Sequence, residues 1–221
     1  MRIAILGPIA WRTPPRHYGP WEQVTGLLAD GLVRRGIDVT LFATLDSQTA
    51  ATLDGVSPRG YEEDASLDGR ICEGLHVAHA FGRSAEFELV HNHLDWLPLA
   101  FSKFCRACLV TTIHGFSDRR ILPAYQAADS AYVSISDADR TPELDYCATI
   151  HHGIDLSRFA FSVTGGDDLV KHRPCGHVSG SPRSRSPDAR RRRRCRSLRR
   201  RPTGQMIGHL PARPPLRQRR R

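Results

Sequence analysis

The sequence predicts an α/β fold: a single Rossmann-like, doubly wound parallel sheet over residues 1–160, followed by a basic tail over 161–221. Three observations predict it. Short β-forming runs alternate with helical stretches from the first residues onward. The first strand, helix and second strand close within about 40 residues, the span of a βαβ unit with parallel strands and a right-handed crossover. The character then changes abruptly after Phe161, beyond which no aromatic residue occurs.

The elements follow in order. Arg2–Leu6 reads as a short buried strand, Ile3-Ala4-Ile5-Leu6, stopped by Gly7-Pro8. A Pro-rich loop runs from Trp11 to Pro20. In the helix that follows, Trp21, Val24, Leu27, Leu28 and Leu32 fall at helical spacing and predict one apolar face. Arg34 and Arg35 suit its last turn, and Gly36 ends it. Asp38–Ala43 is the second strand. Leu67–Ala85 has helical character, with Ile71, Leu75, Val77, Ala78 and Phe81 as expected core residues. Strands are expected at Glu88–His91, Leu109–Ile113, Ala131–Ile135 and Ala148–Ile150, with a helix at Ile121–Ala128. Five or six strands therefore interleave with helices, and no internal repeat is visible.

Length and charge sharpen the division. A chain of 221 residues suits one or two domains. Residues 1–164 hold 14 Lys and Arg against 20 Asp and Glu, whereas 165–221 hold 18 against 3. The pI of about 9.8 therefore belongs to the tail and says nothing about the folded part. The tail is rich in Arg, Pro, Ser, Gly and His with isolated apolar residues. Such a segment cannot bury enough apolar surface to offset its ordering entropy, so disorder is expected. The apolar run at the N-terminus is too short for a signal peptide, and no stretch approaches the roughly 18–20 apolar residues of a membrane span. The six cysteines show no framework spacing, which makes reduced thiols and a cytoplasmic location the expectation.

In an open parallel sheet, ligands bind outside the carboxyl ends of the strands. Those ends carry Gly7, then His17, Gly19 and Glu22; Asn92, His93 and Asp95; His114 and Gly115; Ser136 and Asp137; and His151, His152, Gly153 and Asp155. One polar strand end means little, but five together make a site. Singly, each has an ordinary reading. Gly7 suits a tight turn as well as a phosphate loop. A histidine such as His114 is often a satisfied interior residue. No G-x-G-x-x-G follows the first strand, which counts against a dinucleotide-binding dehydrogenase. His91 and His93 share the spacing of a metal half-site but lack an evident third ligand, so no metal site is expected. Cys105-x-x-Cys108 precedes a strand instead of following one, which is the wrong context for a redox pair.

Several motifs occur in order: Gly7-Pro8, Pro14–Glu22 (PPRHYGPWE), Leu32–Thr44, Leu89–His93 (LVHNH), Thr111–Gly115 (TTIHG), Ser134–Asp137 (SISD) and His151–Asp155 (HHGID). Over residues 1 to about 160 the chain resembles the N-terminal domain of bacterial group 1 (family 4) glycosyltransferases. The resemblance implies a GT-B fold, in which two Rossmann-like domains flank a cleft. It implies a retaining transfer of a hexose-type sugar from a nucleotide-sugar donor to an acceptor, with no cofactor and usually no metal. His114 would hydrogen-bond the transferred sugar, and Gly7 and Gly19 would lie by the donor phosphates. His93, Ser136 and Asp137 would line the cleft, Gly153 and Asp155 would mark the exit to the second domain, and Glu22 would orient the loop or hold acceptor.

Beyond Phe159 the chain departs from that pattern. The family continues with a hydrophobic strand, an Arg and a Lys on the donor diphosphate, and later a pair of glutamates. Here Lys171 and Arg173 lack that context, and no Glu follows Glu143. The resemblance therefore implies that the donor domain is lost and that the chain by itself is inactive. Two readings of the tail stand. Its Arg runs, such as Arg190–Arg194, suit a nucleic-acid-binding arm on a Rossmann-like binding module, although no aromatic residues interleave for base stacking. Alternatively the tail is an out-of-frame translation of GC-rich DNA, which the abrupt switch favours. The Arg runs would then bind polyanions without sequence specificity.

Overall fold

A computed structural model of the chain describes residues 1–115 and 118–158. The chain divides into two units, Met1–Val163 and Thr164–Arg221. The expected disordered tail, with Lys171 and Arg173, lies outside the described residues.

The first unit is built on a seven-stranded sheet in the order β3-β2-β1-β4-β5-β6-β7, all neighbours parallel. The strands are β1 (Arg2–Leu6), β2 (Asp38–Phe42), β3 (Thr52–Asp54), β4 (Leu89–Asn92), β5 (Cys108–Ile113), β6 (Ala131–Ser134) and β7 (Tyr146–Thr149). The helices are α1 (Pro20–Arg34), α2 (Gly69–Gly82), α3 (Leu97–Ala100) and α4 (Leu122–Ala127). The α/β class and parallel alternation are as the sequence predicts. The edge strand β3 and the short α3 were not predicted, because three and four residues are too few to show a period. Among the described residues no helix is long and apolar enough to cross a membrane.

Period-2 alternation sends the strand side chains to two cores. Ala4, Leu6, Phe42, Val90, Leu109 and Tyr132 pack under α2, α3 and α4. Ile3, Ile5, Val39 and Leu41 pack under α1. Phe42 and Leu6 are fully buried. Truncating Phe42 to Ala removes a ring from a closed core and costs about 3–5 kcal/mol.

Both long helices correct part of the expected faces. In α2 the buried residues are His76, Val77, Ala80 and Phe81. Ile71 and Leu75 stay exposed at 63% and 59%, and Ala78 is exposed too. Val77 and Phe81 are buried as expected, and the buried stripe begins at a histidine. Asp68 starts α2, accepting hydrogen bonds from Arg70 N and Ile71 N at 3.0 and 3.1 Å. In α1 the fully buried stripe is Glu22, Thr25, Gly26 and Ala29. The predicted Leu and Val face is only half-buried. Small residues let the axis of α1 approach the sheet closely. A side chain at Gly7 would meet Thr25 Cγ2 and Phe42 O, each at 3.2 Å. Gly7 thus serves close helix–strand packing as well as a turn.

Candidate functional site

The chain leaves β1 toward β2 on one side, and β4 lies on the other. This reversal of strand order opens a crevice at the carboxyl ends of β1 and β4, the usual ligand position in such sheets. The predicted strand-end residues gather around it in two groups.

The first group forms around the loop before α1. Gly7 N donates to Phe42 O at 2.9 Å, and the Gly7 carbonyl meets His76 Nε2 at 3.0 Å. His76 is fully buried, its Nδ1 has no partner, and burial pulls its pKa down to about 4. It is therefore neutral, with Nε2–H donating to the Gly7 turn. Gly19 caps α1 at φ 146°, a conformation that favours glycine, and no side chain caps this helix end. Glu22 is 2% exposed, and desolvation raises its pKa. Its Oε1 accepts from Trp11 N at 3.3 Å, and a Cβ on Gly19 would stand 2.8 Å from Oε2.

The second group is a ladder of imidazoles. His93 Nδ1 meets His114 Nε2 at 2.9 Å, and His114 Nδ1 meets His152 Nε2 at 3.1 Å. The His91 ring lies 4.3 Å from that of His93 and bonds Thr112 Oγ1 at 2.8 Å. Burial is the first cause of low pKa throughout. It takes His91 to about 4 and, with the neighbouring His152 and His91, His114 to about 3; it holds His93 well below the usual range. Each ring is neutral near pH 7, so each link pairs one N–H donor with one bare nitrogen. Once one tautomer is set, all three are set in the same direction. His93 Nε2, at the inner end, is buried without a partner. His152, at the outer end, is exposed. Among the described residues no group of three or more His, Cys, Asp or Glu is placed to hold a metal ion.

Trp21 lines one of two hollows that flank α1. It stacks on His114, with centroids 5.2 Å apart and planes at 22°. The hollow it lines has a volume of about 380 Å³ and is walled also by Trp11, Tyr18, Tyr61 and Trp96, with Glu22, Glu73 and Asp95 in its lining. A wider hollow of about 780 Å³ lies between the Val24–Leu28 flank of α1 and the sheet; His91, His93, His152, Gly153 and Asp155 line it. The turn after β4 is fixed by Asn92, fully buried, which donates to Asp95 O and accepts from Leu94 N, both at 2.9 Å. Asp95 itself adopts φ 65° and accepts a hydrogen bond from Tyr125 Oη.

The structure thus places Glu22 in one hollow and His93, Gly153 and Asp155 in the other; Gly19 packs against Glu22 and Gly7 against Thr25 without lining either, and His114 stacks on Trp21. The described bonds of Ser136 and Asp137 are local. Ser136 Oγ donates to Asp139 Oδ2 at 2.6 Å, and Asp137 accepts from Thr149 Oγ1 at 2.9 Å. Both side chains brace the β6–β7 connection. Cys105 and Cys108 are free, and burial pushes the Cys105 thiol up, the opposite of an activated redox cysteine. His76, Tyr61 and Glu73 were not anticipated. Glu73 and His76 are three apart on α2, so a polar end to that helix's buried stripe was the available signal.

No protein-family profile matches the chain, and no curated protein matches it. Among solved structures it is similar to AviGT4, a glycosyltransferase involved in Avilamycin A biosynthesis. That match has 20% identity and TM-score 0.48 over 72% of this chain and 44% of that one. It is also similar to the C-terminal domain of the Coenzyme A biosynthesis bifunctional protein CoaBC, at 11% identity and TM-score 0.39 over 62% and 78%. A third is MurG of Acinetobacter baumannii, at 7% identity and TM-score 0.41 over 67% and 43%. The chain spans less than half the length of AviGT4 and of MurG.

Proposed function

We propose that this chain is the acceptor-side half of a retaining, nucleotide-sugar-dependent glycosyltransferase of the group 1 (family 4) type, moving a hexose-type sugar, and that by itself it does not turn over. The observation that carries the reading is a neutral His114 stacked on Trp21 in the first turn of α1, a helix whose N-terminus has no side-chain cap. A neutral imidazole can hold a sugar hydroxyl without adding charge. Backbone N–H groups at a helix N-terminus suit a diphosphate. The ordered motifs from Gly7-Pro8 to His151–Asp155 support the same reading.

In this reading His114 meets the transferred sugar and Gly7 and Gly19 border the donor phosphates. Glu22, His93, Gly153 and Asp155 line the cleft, with Ser136 and Asp137 at its rim. The substrates are a nucleoside diphosphate sugar and an acceptor, and no cofactor enters. The chemistry rests on positioning and on stabilising the departing diphosphate. Free thiols at Cys72, Cys105, Cys108 and Cys147 suit a reducing compartment such as the cytoplasm.

The test is nucleoside diphosphate release from a panel of nucleotide-sugars, run on two proteins. One is this chain; the other is encoded after the reading frame is shifted near codon 165. Release by the second alone, lost in its H114A variant, is expected. Turnover by the present chain would overturn the reading. So would the absence, in both alternative frames, of a hydrophobic strand followed by Arg, Lys and paired Glu.

A further inference from the structure

Glu22, Glu73 and Asp95 come from three separate elements, the first turn of α1, the middle of α2 and the turn after β4, yet all line the 380 Å³ cavity. Among the described residues no Lys or Arg lines it. Tyr61 Oη donates to Glu73 Oε1 at 2.8 Å and Tyr125 Oη donates to Asp95, so each of these carboxylates has one neutral partner. Glu22 has less. It is 98% buried, and its carboxylate meets only backbone N–H groups, those of Trp11 and of Glu22 itself. All three pKa values are raised, desolvation being the first cause, and the charge of Asp95 adds to the effect on Glu73. Among the described residues no cation contributes to any of the three shifts.

Buried carboxylates without a counter-charge are costly unless a ligand supplies one. The walls say what shape that ligand has. Trp11, Trp21 and Trp96 all line the cavity, and of its aromatic residues Tyr18 and Trp96 are exposed at 65% and 41%. Aromatic faces suit the C–H face of a sugar or cyclitol ring and attract a cation held against them. The volume admits a ligand of one or two such rings.

We propose that this cavity takes an amine-bearing polyol, an amino sugar or aminocyclitol, whose ammonium group is held by Glu22, Glu73 and Asp95 while its ring lies against the tryptophans. As the acceptor it deepens the glycosyltransferase reading and rests on it; as a ligand class it follows from the cavity alone. Neutral polyols leave the three carboxylates uncompensated and bind more weakly.

The chain contains three tryptophans, and all three line this cavity. Intrinsic fluorescence of the full chain therefore reports occupancy directly. D-Glucosamine, D-glucose and N-acetyl-D-glucosamine are titrated at pH 7. The first carries an ammonium group and the other two are neutral. Saturable perturbation by glucosamine is expected, about tenfold or more tighter than by either neutral sugar. E73Q and D95N, which keep side-chain size, each abolish that preference. Equal binding of the three sugars, no response to glucosamine, or an undiminished preference in both folded variants would overturn the inference. The two readings fail separately. Glucosamine binding with no nucleoside diphosphate release by the frame-shifted chain defeats only the transferase reading. Release onto a neutral acceptor without glucosamine binding defeats only this one.

Discussion

Acidification is the sharpest test of the interior described above, and His76 isolates it. Its imidazole is fully buried, donates through Nε2 to the Gly7 carbonyl, and leaves Nδ1 with no partner. Its folded pKa is about 4, below the ordinary 6.5. As pH falls below about 6.5, the unfolded chain takes up a proton that the folded chain refuses, so stability is lost progressively until pH nears 4. Between pH 7.5 and 5.5 the loss from one such histidine is about 1.3 kcal/mol. For a urea m-value of roughly 2 kcal/mol/M, this lowers the midpoint by about 0.6 M. The raised carboxylates Glu22, Glu73 and Asp95 act in the opposite sense, gaining protons in the folded state as pH falls. Comparing wild type with H76Q removes them, because both proteins share them and Gln retains a donor for Gly7. Urea titrations followed by tryptophan fluorescence should show H76Q losing about 1.3 kcal/mol less than wild type over that interval. An identical loss in the two proteins would refute a buried, neutral His76.

Other outcomes follow from the same geometry. G19A places a Cβ at φ 146° within 2.8 Å of Glu22 Oε2 and 2.9 Å of Pro15 Cβ. It should cost about 1–3 kcal/mol and lower the melting temperature by several degrees. N92A strands a buried Leu94 N–H and the Asp95 carbonyl, for a loss of about 2–3 kcal/mol by chemical denaturation; a change under about 0.5 kcal/mol would show that the turn holds without it. H152A removes an exposed ring and should leave stability within about 0.5 kcal/mol. It also removes a neighbour that lowers the pKa of His114, so an NMR titration should find that pKa higher than in wild type.

The sheet was legible because buried parallel strands are short apolar runs and their carboxyl ends carry the polar residues. Ile3–Leu6 and Val39–Phe42 could be read in this way. Thr52–Asp54 could not, because it pairs at an edge and buries little. The helix faces were legible only in part: Val77 and Phe81 are buried as the periodicity predicts, whereas Ile71, Leu75 and Ala78 are exposed. Apolar periodicity marks where greasy residues lie, whereas α1 is held down by its smallest residues, Thr25, Gly26 and Ala29. The ring of strand-end residues was visible as a set, including His93, His114 and His152. What they bond was not. The imidazole ladder joins positions 21 and 38 residues apart. The carboxylates of the aromatic cavity come from distant segments with no shared local pattern. Only the fold makes them neighbours.

Trp21 has a consequence for how this protein can change. It stacks on His114 and also lines the aromatic cavity. A substitution that widens the cavity for a bulkier guest also removes the plate against which His114 rests. Variation at position 21 therefore alters the cavity and the surroundings of His114 together. Tyr18 and Trp96 have no stack with the imidazole ladder among the described residues. Adaptation to new guests has a freer path there than at Trp21.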